Sequence, residues 1–170
     1  MKEQYTLTFY TEDQMGLINK TAVIFSRRKI CFESFNISLC EINGMYRFTI
    51  VVTETRETVR NLTLQIEKII DVYKCYFSTN SEIVSVQTAL FKLPTDEVTR
   101  NNVQELMQKH NAKYSVLERD YTIFEITAQE TEIDVLIECL MEYKMIEFVK
   151  SPRIALIKSE KGLRADFEGL

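Results

Sequence analysis

The sequence predicts an α+β protein built from two β-α-β-β-α-β sandwiches in tandem. Three observations carry that prediction. Hydrophobic periods of two and of 3.6 alternate along the chain, and the same order of elements comes round twice. One polar run, residues 78–82, separates the two rounds. A length of 170 residues is enough for two small domains.

Tyr5, Leu7 and Phe9 alternate with Thr6, Thr8 and Tyr10, a period-two strand with one apolar face. From Leu17 the period changes. Ile18, Ala22 and Phe25 follow i, i+4, i+7, the stripe of an amphipathic helix that ends near Arg28. Residues 30–42 read as extended, with Phe35, Ile37 and Leu39 on one face. Asn43 and Gly44 predict a two-residue type I′ hairpin. Tyr46, Phe48, Ile50 and Val52 then alternate again. A second helix follows on Val59, Leu62, Ile66 and Ile69, and a closing strand over 72–77.

The second round begins with a strand over 83–93 and a break at Pro94. A helical stripe runs through Val103, Leu106, Met107 and His110. Paired strands over 114–117 and 121–128 flank Glu118, Arg119 and Asp120. Ile133, Leu136, Ile137, Leu140 and Met141 give the strongest helical stripe, and 146–157 returns to extended structure bent near Pro152. Two units of roughly 80 residues in this order are two ferredoxin-like sandwiches. Their expected bounds are 1–78 and 82–158, followed by a polar tail over 159–170. The first sheet is expected to leave one face and one edge open, which predicts self-association.

Composition narrows the function. With 45% apolar and 27% charged residues and a formal charge of −4, the chain lacks the basic surface that nucleic acid requires. Arg27, Arg28 and Lys29 form its densest basic cluster, which reads as a solvated helix end. The first residues alternate like a strand and do not resemble a targeting segment. No window approaches the apolar length of a membrane span. The expected location is the cytoplasm, where the N-x-S/T triplets at Asn36 and Asn61 carry no meaning. Cys31, Cys40, Cys75 and Cys139 show no C-x-x-C pairing, so no metal site is expected.

No catalytic constellation emerges. His110 lies on a helical stripe without a Ser, Cys or Asp partner in the pattern. Glu118 and Asp120 are turn formers, and Asp96 and Glu97 sit where acids favour a helix start. Arg56 and Lys68 face solvent by spacing. The catalytic set is therefore expected to be empty.

One place asks for a ligand. In TEDQMGLINK, residues 11–20, Gly16 stands where a strand hands over to a helix, and the chain has only four glycines. A phosphate loop needs more glycines than this one. Two readings stay open: a turn residue, or a glycine whose missing side chain lets a small carboxylate reach the first-turn N–H groups.

An E-x-x-G-x-hydrophobic loop between a first strand and first helix resembles the ACT domain, an amino-acid-sensing module. TEDQMGLINKTAVIFSRRKICFESFNIS, GMYRFTIVV and LTLQIEKIIDVYKCY together resemble the small regulatory subunit of acetolactate synthase. The match is specific over residues 5–77 and colinear through 158. That resemblance implies a non-catalytic subunit that activates a large catalytic subunit. Thiamine diphosphate, magnesium and usually FAD reside on that partner, with no cofactor on this chain. It also implies an ACT homodimer with an amino-acid effector, valine or a similar end product, at its interface. The implied contacts are Asp13, Gly16, Leu17 and Ile18 from one copy, and Cys31 and Phe32 from the other. Asp13 and Cys31 stand where the family has Asn, and Lys29 where it has Gly. The alternative implied by the same module is a free-standing tandem amino-acid sensor.

Overall fold

The computed structural model describes residues 1–100 and 102–159. Two compact units emerge among the described residues: Met1–Ser85 together with residues 153–159, and Val86–Pro152. The expected second domain ran through 158. The structure instead returns residues 153–159 to the first unit. The expected polar tail lies, beyond Ser159, outside the described residues.

In the first unit the order is β1 (Lys2–Thr11), α1 (Gln14–Arg28), β2 (Ser34–Leu39), β3 (Tyr46–Thr55), α2 (Arg56–Glu67) and β4 (Val72–Thr79). The sheet runs β2-β3-β1-β4 and is antiparallel throughout. Period two dictates one packed row: Tyr5, Leu7 and Phe9 on β1 register with Val52, Ile50 and Phe48 on β3. The Phe9 and Phe48 rings stack at 4.8 Å. Leu17, Ile24 and Phe25 of α1 and Val59, Leu62 and Ile66 of α2 close over that row. Burying each such side chain contributes about 1.5–3 kcal/mol. Thr55 starts α2 by accepting the N–H of Thr58 at 3.3 Å.

Three local expectations are corrected. The second strand is only Ser34–Leu39, because α1 ends in a left-handed residue, Lys29 at φ 56, that turns the chain first. Its N–H returns to the Phe25 and Ser26 carbonyls, a helix C-cap usually given to glycine. The hairpin is wider than two residues: Cys40 N–H donates to Met45 O, and Met45 N–H to Ile42 O. Gly44 has φ 78 and Asn43 does not share the positive sign, which fits a type II rather than a type I′ turn.

The third correction concerns the sheet face away from the helices, expected to be open. Thr6, Thr8, Tyr10, Thr49, Val51 and Ser78 are all buried. Part of the cover is the chain's own segment after Pro152. Arg153 N–H donates to Ser34 Oγ at 2.8 Å, and Arg47 Nη2 to the Ala155 carbonyl at 2.6 Å. The open-face argument for self-association therefore falls, while β2 remains an edge strand.

The second unit carries most of β5 (Ile83–Pro94), then α3 (Thr95–Arg100), α4 (Val103–Lys109), β6 (Lys113–Leu117), β7 (Tyr121–Ala128), α5 (Glu130–Met141) and β8 (Glu147–Lys150). Its sheet order is β6-β7-β5-β8. Phe91, Phe124, Ile126, Met107, Ile133, Leu136 and Leu140 make a separate core. Pro94 ends the strand, as expected. It is the last residue of β5, paired with Tyr121, and α3 starts directly after it. The extended stretch at the end is interrupted as expected at Pro152, and β9 (Ile154–Ile157) pairs with β5.

Candidate functional site

The strand β1 ends at Thr11, whose hydroxyl accepts the N–H of Asp13 at 3.1 Å. That bond sets Asp13 in an extended conformation, φ −96 and ψ 90, from which its side chain can cap α1. Asp13 Oδ1 accepts the N–H of Gly16 at 3.0 Å, and its carbonyl accepts Leu17 N–H at 3.3 Å. A carboxylate at a helix N-terminus is favourable for both hydrogen bonding and the helix dipole. A Cβ on Gly16 would come 2.1 Å from Asp13 Oδ2, so a side chain there requires the Asp13 carboxylate to shift.

The structure thus brings Asp13, Gly16 and Leu17 into one turn. Leu17 is fully buried, so only its backbone could face a ligand there. Ile18 packs half-buried against the first core. Cys31 and Phe32 lie in the loop after α1, Cys31 exposed and Phe32 38% exposed. Phe32 is fixed by rings on both sides, Phe25 at 4.6 Å and Phe35 at 5.3 Å. The 15 residues of α1 span about 22 Å between the Gly16 turn and this loop. A small amino acid cannot touch both ends within one copy.

Other sequence candidates take ordinary roles. His110 caps the end of α4, and its Nδ1 lies 3.2 Å from Glu132 Oε1, a partner that the spacing did not disclose. Glu118 N–H donates to Tyr121 O in the expected turn. Asp96 and Glu97 open α3, and Glu97 pairs with Lys144. Among the described residues no group of three His, Cys, Asp or Glu side chains gathers as a metal site. No helix among them is long and apolar enough to cross a membrane. A groove of about 520 Å³ between α4 and α5 is lined by Glu105, Lys109, Glu138, Cys139 and Glu142.

Sequence reasoning missed Arg153. It is 3% exposed, with Nη1 on Thr6 Oγ1 at 3.0 Å and Asn80 Oδ1 at 3.1 Å, and Nη2 on Gln4 Oε1 at 2.6 Å. The available signal was the row of hydroxyls on β1 and β3, which reads equally well as a wet face or a polar-covered one.

Comparison with known proteins finds matches to both halves of the chain. Residues 7–74 match the family described as the AHAS small subunit-like ACT domain, and residues 87–159 match the small subunit of acetolactate synthase. The acetolactate synthase small subunit of Bacillus subtilis is 30% identical over 159 residues, covering 93% of this chain and 91% of that protein. That of Mycolicibacterium smegmatis is 27% identical, covering 95% of each. In fold, the chain resembles the small subunit from Thermotoga maritima, with a TM-score of 0.82, 21% identity and coverage of 94% and 99%.

Proposed function

The chain belongs to the family of acetolactate synthase small subunits, and from that premise we propose that it is the non-catalytic regulatory subunit of such an enzyme. It binds a large catalytic subunit and raises the rate at which that subunit makes acetohydroxy acids for branched-chain amino-acid synthesis. The observation that carries this reading is the match of both halves, in order, to one family. The cofactors of the reaction, thiamine diphosphate, magnesium and usually FAD, belong in this reading to the large subunit.

Two copies pair through their first units and hold an amino acid at the junction. The separation of Gly16 from Cys31 along α1 supports this, since a site using both needs a second chain. The edge strand β2, with Leu39 67% exposed, supplies a place to join sheets.

Titrating the purified chain into its cognate large subunit, with acetohydroxy acid formation as the readout, tests the proposal. The chain alone should turn over no pyruvate, and the mixture should exceed the large subunit alone. An unchanged rate at saturation overturns the assignment. Light scattering at micromolar concentration tests the pairing, and a monomer there overturns it.

A further inference from the structure

We infer that residues 153–157 form a releasable strap, latched onto the sheet of the first unit by the buried side chain of Arg153. The strap follows the last residue of the second unit and returns to the first. What holds it is mostly polar. Ala155 is its one buried apolar side chain, while Ile154, Leu156 and Ile157 are 56%, 66% and 40% exposed. The surface beneath includes one row, Ser34, Val51, Thr6 and Ser78, in which three of the four side chains are hydroxyls.

Arg153 reads that surface with its whole length. Its N–H meets Ser34, and its guanidinium meets Thr6, Asn80 and Gln4. Gln4 is in turn oriented at both ends of its amide. Its Oε1 accepts from Arg153 and from Asn80 Nδ2, and its Nε2 donates to Glu33 Oε2 at 2.8 Å. These side-chain bonds of the guanidinium end on neutral oxygens. Beyond the latch, Arg47 donates to Ala155 O, and Lys158 N–H donates to Glu82 O.

The balance of forces decides how the strap behaves. β1 and β3 are locked by Leu7, Phe9, Phe48 and Ile50, all 0% exposed. Opening them exposes large apolar side chains to water. Opening the strap chiefly exchanges protein hydrogen bonds, those of the β9–β5 pairing included, for water hydrogen bonds, and Ala155 is the one buried apolar side chain that the strap itself gives up. Segments of that kind open locally, ahead of global unfolding. The latch is a conformational device that uncovers one face of the unit carrying the Gly16 turn, and Arg153 is its positioning residue.

Hydrogen–deuterium exchange of the full chain, resolved by peptide mass spectrometry, tests this. In the unmodified chain, amides of the strap should exchange roughly tenfold or more faster than those of β3. Arg153→Met should accelerate the strap by about a further tenfold and leave β3 unchanged, with Arg153→Lys between the two. Equal rates for strap and β3 in the unmodified chain overturn the proposal without any variant. So does an Arg153→Met protein in which β3 loses protection along with the strap, or one in which the strap does not change.

Discussion

The Asp13 carboxylate and the Gly16 backbone occupy each other's space: Oδ1 accepts the Gly16 N–H at 3.0 Å, and Oδ2 lies where a Gly16 Cβ would be, 2.1 Å from its ideal position. The glycine is thus explained by a neighbouring side chain in addition to any ligand. Gly44 is different, being required by its φ of 78 with no atom within 4 Å of a Cβ.

That difference predicts coupled stabilities. Gly16→Ala gains up to about 1 kcal/mol of helix propensity but displaces the Asp13 cap, which is worth about 0.5–2 kcal/mol. The net change should be small. In an Asp13→Ala background the cap is already gone, so Gly16→Ala should stabilise by about 0.5–1 kcal/mol. Urea unfolding of the four proteins gives the cycle. Additivity to within about 0.3 kcal/mol would show that the two residues do not interact.

Two further positions on α1 should improve on substitution. Thr21 is fully buried and its hydroxyl has no hydrogen-bond partner. Thr21→Val keeps the shape, removes the orphan and should stabilise by about 1 kcal/mol. Lys29→Gly relieves a left-handed backbone and should add about 0.5–1 kcal/mol. A fall in denaturation midpoint for either would mean that its side chain makes a contact stronger than the strain removed.

Alkaline pH should act through Cys75 and Tyr10. Burial raises the Cys75 thiol from 9.0 to about 12, and burial followed by the Tyr76 hydrogen bond raises Tyr10 well above 10. In both cases the folded chain holds a proton that the unfolded chain releases earlier. Their contribution to stability is therefore complete below pH 9 and is lost as pH rises toward 12 and beyond. Thermal melts across pH 8–11 should show the decline starting near 9, and Cys75→Ala should reduce its steepness. A thiol reagent at pH 8 should label exposed Cys31 and spare Cys75 until the chain unfolds. Rapid labelling of Cys75 in the folded chain would contradict its burial.

The order of elements was legible because period two and period 3.6 are set by one buried face each, and both units have such a face. That Phe9, Phe48 and Leu62 face a core follows from spacing, whereas the stacking of Phe9 on Phe48 depends on the register of β1 with β3. The second face of the first sheet was illegible for the same reason. Thr6, Thr8 and Thr49 alternate correctly for a surface, and hydroxyls satisfy a guanidinium as well as they satisfy water. The site was half legible. Gly16 stood out as a scarce residue at an element boundary, but its use by Asp13 depends on a carboxylate that also reads as a loop residue. The His110–Glu132 pair, 22 residues apart, left no local signal at all.

The effector proposal yields the last prediction. An amino acid arriving at the α1 start brings a carboxylate to a turn where Asp13 already holds the Gly16 N–H. The two anions compete for one donor and repel each other, so binding of valine, leucine or isoleucine by the unmodified chain should be weak. Asp13→Asn keeps an oxygen for the cap and removes the charge. Cys31→Asn restores a side chain that both donates and accepts, where a thiol offers only a weak S–H. Each change should tighten binding by about 1 kcal/mol, close to fivefold in Kd. Gly16→Asp should abolish binding by filling the approach and adding a second negative charge. Isothermal titration of the four proteins with each amino acid reads this directly. Tight valine binding by the unmodified chain would mean that Asp13 turns away from Gly16 to admit the ligand. Affinity unchanged by Gly16→Asp would leave Gly16 as the partner of Asp13 in a helix cap, with no ligand at the turn.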